Sequence, residues 1–142
     1  MQEWDLNSVL DRLVAADSSW LTTVRPDGRP HSAPVWHVWN GGRFYVVTQP
    51  KAVKAANIRR NQAVVLSHPD PHAVIIVDGR AQFVEGLTRE LQPLFQEKYA
   101  WDIAADKDYT AVIAIEPLKV LAWPEEGAGH RRRWQGSDLA GL

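Results

Sequence analysis

Short alternating segments joined by tight-turn sequences are the feature that most constrains the fold of this chain. Asn40-Gly41-Gly42 is the strongest hairpin signal, because Asn and Gly accept the positive φ that a two-residue hairpin turn requires. Pro26-Asp27-Gly28 is a second turn, in which Pro presets φ and Gly accepts positive φ. Many short strands joined by such turns favour an antiparallel barrel over a parallel sheet.

The remaining pattern gives the order helix, three strands, short helix, two strands, helix, two strands. The predicted strands are 18–24, 31–39, 43–48, 63–67, 72–84, 109–116 and 119–123, and the predicted helices are a short one near 7–14, then 52–60 and 88–98. Val35, His37 and Trp39 are expected on one face of the second strand, with Pro34, Trp36 and Val38 on the other. Asp78-Gly79 predicts a bulge or tight turn, and Pro117 separates the last two strands.

Composition excludes several functional classes. The 142 residues predict a single domain, 1–142, with residues 125–142 as a candidate flexible tail. The absence of cysteine excludes disulfides, thiolate metal sites and a Cys nucleophile. A net charge of −1 predicts no general attraction to nucleic acid or to a membrane. No signal peptide or apolar span is evident, so we expect a cytoplasmic protein. Seven Trp favour both a well-packed core and a planar ligand.

A strand that leads into a short helix carries the most informative polar residues. Thr48, Lys51 and Lys54 cluster where the helix of residues 52–60 begins. Free backbone N–H groups and the positive end of the helix dipole favour an anion there, and two ammonium groups would complete a phosphate clamp. The alternative is that Lys51, Lys54 and the Arg59-Arg60 pair form a solvated basic face.

Four segments together resemble one known family. They are Leu21–Pro30, Pro34–Tyr45, Phe44–Asn61 and Val77–Ala81. In order and spacing they are similar to the pyridoxamine 5'-phosphate oxidase-like FMN-binding split-barrel family, including its flavin and deazaflavin (F420) oxidoreductase branch. The resemblance implies a mainly β fold, a six-stranded antiparallel split β-barrel, and a homodimer with a cofactor in each of two clefts between the subunits.

The resemblance also implies a cofactor site for FMN or F420. Its phosphate would lie at the strand-to-helix corner and its ring against the second strand, while a late Arg/Trp segment would close over the cofactor of the partner. The implied cofactor-binding residues are His31, Ser32, Pro34, Val35, Trp36, Thr48, Lys51, Lys54, Asn57, Arg133 and Trp134. Members that bind FMN usually carry an Arg on the second strand and another beside the helix Lys, whereas this chain has His31-Ser32-Ala33 and Ala52-Val53 there.

The function that follows is an FMN- or F420-dependent oxidoreductase that transfers hydride to or from a small conjugated substrate. Residues expected of a true pyridoxamine-phosphate oxidase for its substrate phosphate are missing. The alternatives are a non-catalytic flavin, F420 or heme carrier, and a nucleic-acid-binding barrel that uses the basic helix and Arg131–Arg133. No catalytic residue is identified, and the spacing of His31, His37, His68 and His72 predicts no metal site. Trp36 either flanks the cofactor ring or packs in the core or a dimer interface, and residues from His130 onward are equally consistent with a solvated tail.

Overall fold

A single antiparallel sheet curls so that its two edge strands are neighbours in the sequence. The computed structural model describes residues 4–124 and 131–142. Within them, the strands are β1 (Ser19–Val24), β2 (Pro30–Val35), β3 (Val38–Asn40), β4 (Arg43–Thr48), β5 (Ala63–Ser67), β6 (Ala73–Val84), β7 (Ala111–Pro124) and β8 (Arg132–Gln135). The helices are α1 (Leu6–Ala15), α2 (Val53–Arg60), α3 (Thr88–Tyr99) and a 3₁₀ turn at Gly136–Leu139.

The strand order explains why the barrel is split. Along the sheet the order is β2-β1-β5-β6-β7-β4-β3, and β8 pairs with β7 beside β4. The edge strands β2 and β3 are joined by only two residues, Trp36 and His37, although no hydrogen-bonded ladder connects them within the described ranges. The two edges of the curled sheet are therefore held close by a covalent bend. This confirms the predicted mainly β split-barrel fold.

Both faces of strand β4 are buried, which places it between two cores. Phe44 and Val46 point into the barrel, where α1 contributes Leu10 and Leu13. The alternate residues of β4, Tyr45 and Val47, pack with α3 in a second cluster. Such alternation is the side-chain period of a strand. Helix α1 begins after Asp5, whose carboxylate accepts a hydrogen bond of 2.8 Å from the Ser8 N–H, as expected of an N-cap residue.

The prediction of one continuous strand over residues 31–39 is wrong. The chain leaves the ladder after Val35 and resumes at Val38. At the bend, the N–H of His37 donates to the Tyr99 hydroxyl (3.0 Å) instead of to a neighbouring strand, and the His37 side chain is fully buried. The predicted alternation of faces is nevertheless kept, because Val35 and Trp39 pack with the barrel core and His37 contacts its Leu13 and Phe44. Val38 packs in the second cluster, and Trp36 stacks on Tyr99 on that same side. The tertiary contact with α3 replaces only the sheet hydrogen bonds.

The opposite correction applies to the last two predicted strands, which form the single strand β7. Pro117 lies within β7 and pairs with Gly79, where the β6–β7 register shifts. A proline has no N–H to give to a ladder, and a bulge is a place where a strand tolerates one. The predicted irregularity at Asp78-Gly79 is thus confirmed as a register shift whose extra residue is Leu118 of β7, and it allows β7 to continue through Pro117.

The last described segment packs on the barrel. Strand β8 pairs with the second half of β7, and Trp134, opposite Val120, packs against the barrel core. His130 and the rest of 125–130 lie outside the described residues. No helix in the described ranges is long and apolar enough to cross a bilayer.

Candidate functional site

A cleft of ≈ 390 Å³ opens where the bend at residues 36–37 joins the two edges of the sheet. We call it the split cleft. It is lined by Pro34, Val35, Trp36, Val46, Val47, Thr48, Lys54, Trp101, Asp106 and Tyr109. The end of β2 and the end of β4 form two of its sides, the first turn of α2 closes one end, and the loop after α3 covers another side. The barrel fold thus brings together four segments that are far apart in the sequence.

One wall of the split cleft is aromatic. The ring of Trp36 stacks on that of Tyr99, with centroids 4.5 Å apart and planes 2° from parallel. Trp101 stands edge-on to Trp36 at 5.8 Å and to Tyr109 at 5.6 Å. Trp36 remains 49% exposed and Tyr109 41% exposed. Exposed faces of held aromatic rings are suited to stacking with a planar ligand.

Asp106 holds the loop that carries two of these aromatic residues. One carboxylate oxygen accepts hydrogen bonds from the backbone N–H groups of Asp108 and Tyr109, each 2.9 Å long. The other accepts from the Trp101 indole N–H at 3.0 Å. The Tyr109 and Asp108 backbone hydrogen bonds, followed by that of Trp101, lower the pKa of Asp106 below its ordinary value. Asp106 therefore acts as an ionised acceptor that orients the aromatic loop.

Thr48 and Lys54 form the polar end of the split cleft. Thr48 is buried at the end of β4, and Lys54 lies in the first turn of α2. Lys54 is half-buried, and burial lowers its pKa. No carboxylate among the described residues lies within ion-pair distance of its ammonium group, although Asp106 lines the same cleft. A partly desolvated ammonium group without a counter-ion is a favourable position for an anion.

The bend that presents Trp36 is fixed by buried hydrogen bonds. The Nδ1 of His37 lies 2.8 Å from the Ser19 hydroxyl, and its Nε2 lies 2.8 Å from the Leu13 carbonyl oxygen. Because a carbonyl only accepts, Nε2 carries the proton and Nδ1 accepts from Ser19. The carbonyl oxygen of His37 accepts from both Lys98 Nζ (2.9 Å) and the Tyr99 hydroxyl (3.1 Å). Helices α1 and α3 thus clamp the residue next to Trp36.

The two titratable side chains of this clamp, His37 and Lys98, both have lowered pKa values. Burial, and secondly the charge of Lys98, lower the pKa of His37 to about 4. Burial likewise lowers the pKa of Lys98 to about 8, and the nearby Asp17 opposes that shift. His37 is therefore neutral at neutral pH, and both of its nitrogens are used in hydrogen bonds.

The structure brings together five of the predicted site residues and leaves the others elsewhere. Pro34, Val35, Trp36, Thr48 and Lys54 line the split cleft. The other predicted residues lie elsewhere. His31 and Asn57 line a second cleft, the Ser32 hydroxyl lies 2.6 Å from the Thr22 hydroxyl on the outer face of the sheet, and Lys51 is exposed. Arg133 and Trp134 belong to β8 and do not line the split cleft of their own chain. Their roles in cofactor binding stay predictions.

Sequence reasoning missed the loop that covers the cleft. Trp101, Asp106 and Tyr109 lie between α3 and β7, in a segment whose other residues are small or charged apart from the buried Ile103. The available signal was two aromatic residues in a polar loop, since loops on a rigid scaffold often carry binding residues. Val46 and Val47 were assigned only to a strand, because nothing local shows which strand borders a cleft.

Comparison with known proteins shows the family of this fold. A sequence profile described as pyridoxamine 5'-phosphate oxidase matches residues 8–124. No curated protein sequence matches the chain. Among solved structures, the chain is similar to an F420 reductase, with 27% identity over 78% of this chain and 94% of that one, and a TM-score of 0.64.

Two heme proteins share the fold at lower identity. The heme binding protein from Mycobacterium smegmatis has 18% identity over 98% of this chain and 62% of that one, with a TM-score of 0.70. HutZ, the heme storage protein from Vibrio cholerae, has 19% identity over 79% of this chain and 89% of that one, with a TM-score of 0.65. Identities this low indicate a shared fold only. The profile match, which spans most of the chain, shows that this protein belongs to the pyridoxamine 5'-phosphate oxidase family.

Proposed function

We propose that this protein is an FMN- or F420-dependent oxidoreductase of a small conjugated molecule, with the cofactor ring in the split cleft. The observation that carries the proposal is the aromatic wall of Trp36, Trp101 and Tyr109 facing the unpaired ammonium group of Lys54. This donor set fits a flat conjugated group that carries a phosphate. The similarity to an F420 reductase supports the same class of ligand.

The chain would bind and orient, while the bound cofactor supplies hydride transfer. Trp36 offers a ring face whose position is fixed by Tyr99. Lys54 and the free N–H groups at the start of α2 would hold the phosphate. Thr48, buried beside Lys54, would offer a hydroxyl to the same group. The exposed side of the cleft would leave one ring face open to substrate.

The histidine nearest the cleft does not suit heme ligation. Both nitrogens of His37 are engaged, one with Ser19 and one with the Leu13 carbonyl, and the side chain is fully buried. Binding iron would require breaking one of these buried hydrogen bonds, which costs about 1–3 kcal/mol for the group left unpaired. This observation favours a flavin or deazaflavin over heme at this position.

We also propose that two copies of the chain pack on the outer face of the sheet. Directly paired residues of antiparallel strands share a face. The register therefore sets one outer row in the order Pro34, Trp20, Ser67, Ile76, Leu121 and Arg133. Trp20 is 42% exposed in this row. Because Pro34 also lines the split cleft, a second copy on this face would add a wall to it. Sedimentation equilibrium tests this directly, and a monomer at all concentrations would refute it.

Titration of the protein with FMN and with F420 tests the cofactor assignment. Quenching of Trp fluorescence on binding is the expected result, because Trp36 would contact the bound ring. The cofactor that binds more tightly identifies the chemistry. A well-folded protein with no affinity for either cofactor would overturn the proposal.

Replacing Lys54 tests the polar end of the cleft. Lys54→Ala is expected to weaken binding of the phosphate-bearing cofactor by about 1–3 kcal/mol, the range of a charge-assisted hydrogen bond. Lys51→Ala is the matched control, because this substitution removes the same charge from an exposed position outside the cleft. Equal affinities of wild type and Lys54→Ala would remove Lys54 from the site. Turnover of a bound, reduced cofactor with candidate acceptors then separates an enzyme from a non-catalytic carrier.

A further inference from the structure

A second cleft, of ≈ 460 Å³, lies between the β1–β2 hairpin and helix α2. We call it the Arg25 cleft. It is lined by Arg25, Pro26, Asp27, Arg29, His31, Val53 and Asn57. The hairpin turn fixes Arg25, whose N–H donates to the Arg29 carbonyl at 2.9 Å and whose carbonyl accepts from the Gly28 N–H at 2.9 Å. Asn57 is fixed from the other side, since its amide donates to the Thr23 hydroxyl at 2.9 Å.

Two buried nitrogen atoms in this cleft have no hydrogen-bond partner among the described residues. They are Nε of Arg25 and Nδ1 of His31. The Nε of a guanidinium group always carries a proton and only donates, and Nδ1 of a neutral imidazole donates in one of its two tautomers. Buried donors without acceptors destabilise a protein and need an explanation. An oxyanion, which accepts from several donors at once, would satisfy both.

The charge in the cleft favours the same ligand. Two guanidinium groups and one carboxylate line it. The carboxylate is already engaged, because Asp27 accepts from Nε of Arg29 at 2.7 Å and from the Arg29 backbone N–H at 3.1 Å. The guanidinium group of Arg25 is therefore the cation left to bind an added anion. Arg is suited to this role because its planar group matches the geometry of phosphate and carboxylate.

The Arg25 cleft and the split cleft flank the same two elements. His31 and Val35 lie four residues apart on β2, about 13 Å along an extended strand. Val53 and Lys54, one in each cleft, are consecutive in α2. A ligand with its ring in the split cleft and an extended polar chain would thus reach the Arg25 cleft with a charged end.

We infer that the Arg25 cleft binds an oxyanion, phosphate or carboxylate, carried by the ligand whose ring occupies the split cleft. Arg25 and His31 are the donors, and Arg29 adds positive charge. The inference rests on the proposed function for the identity of the ring, whereas the oxyanion site itself rests on the two unpartnered nitrogens.

Arg25→Gln is the decisive variant, and Arg60→Gln is its control, because Arg60 is an exposed residue of α2 that does not line the cleft. Affinities are measured for FMN, riboflavin, F420 and F420 lacking its glutamate residues. We expect Arg25→Gln to lose roughly tenfold to 100-fold in affinity for at least one charged ligand. A loss for FMN but not riboflavin identifies phosphate as the bound group, and it would move the FMN phosphate from Lys54 to the Arg25 cleft. A loss for F420 but not for the form without glutamates identifies carboxylate. Unchanged affinities for all four ligands overturn the inference.

A separate measurement keeps this result distinct from the proposed function. If none of the four ligands binds wild-type protein, the cofactor assignment fails, and the oxyanion site is tested with inorganic phosphate alone. The readout is the NMR resonance of the Arg25 Nε–H group. A saturable shift in wild type and in Arg60→Gln supports the site even without a cofactor, and no shift across the titration refutes it.

Discussion

The hydroxyl group of Tyr99 gives the sharpest test of how the bend at residues 36–37 is held. It accepts from the N–H of His37 at 3.0 Å and donates to the carbonyl of the same residue at 3.1 Å. Tyr99→Phe removes only this hydroxyl and keeps the ring that stacks on Trp36. The carbonyl retains Lys98 Nζ as a partner at 2.9 Å, whereas the N–H of His37 is left without one. The cost is thus that of one partly buried donor left without a partner.

An unsatisfied buried donor costs about 1–3 kcal/mol. For 142 residues, an unfolding entropy of about 2.1 cal/mol/K per residue gives about 0.3 kcal/mol/K, so Tm should fall by roughly 3–10 °C. Urea unfolding followed by far-UV circular dichroism measures the free energy of unfolding directly. The slope of the free energy of unfolding against urea concentration should be unchanged, because Tyr99→Phe exposes the same surface on unfolding as the wild type.

Tyr109→Phe is the matched control for this experiment. Tyr109 also belongs to the aromatic wall, but its hydroxyl has no hydrogen-bond partner within the described ranges. Tyr109→Phe should therefore have the same free energy of unfolding as the wild type. If Tyr99→Phe is as stable as Tyr109→Phe, the hydroxyl does not hold the bend, and the account of how Trp36 is positioned is wrong.

Two further changes test the buried histidine and the bulge. Because burial and Lys98 lower the folded pKa of His37 to about 4 from 6.5, its contribution is fully present above pH 6.5 and is lost as the pH falls from 6.5 to about 4. The free energy of unfolding, measured with urea, should therefore fall by about 3 kcal/mol over this pH range in the wild type but not in His37→Gln. Wild type and His37→Gln that lose stability in parallel as the pH falls would contradict this prediction. At the bulge, a Cβ on residue 79 would lie 2.7 Å from Ile115 Cγ2 and 3.2 Å from the Glu116 carbonyl oxygen. Gly79→Ala should therefore lower the free energy of unfolding by about 1–3 kcal/mol, whereas Gly86→Ala, at a position open to solvent, tests the separate cost of a positive φ.

Much of the local structure followed from the sequence because its causes are local. The turns at Pro26–Gly28 and Asn40–Gly42 lie where Gly accepts positive φ, and all three helices were expected within a few residues of where they occur. The two failures have tertiary causes. His37 leaves the sheet because Tyr99, distant in the sequence, takes its N–H. Pro117 stays in the sheet because the pairing with β6 shifts beside it: Leu118 is an extra residue of β7 between the partners of Asp78 and Gly79.

The candidate site divides in the same way. Thr48 and Lys54 were predicted as the anion-binding corner because a strand that ends before a helix sets free N–H groups beside them. The sequence by itself also determined the family, through four segments in a fixed order. Only the tertiary structure decided that Trp36 faces the split cleft, since the bend that turns it there is held by α1 and α3. The covering loop with Trp101 and Tyr109, and the unpartnered Nε of Arg25, likewise arise from contacts between distant segments, which no local pattern encodes.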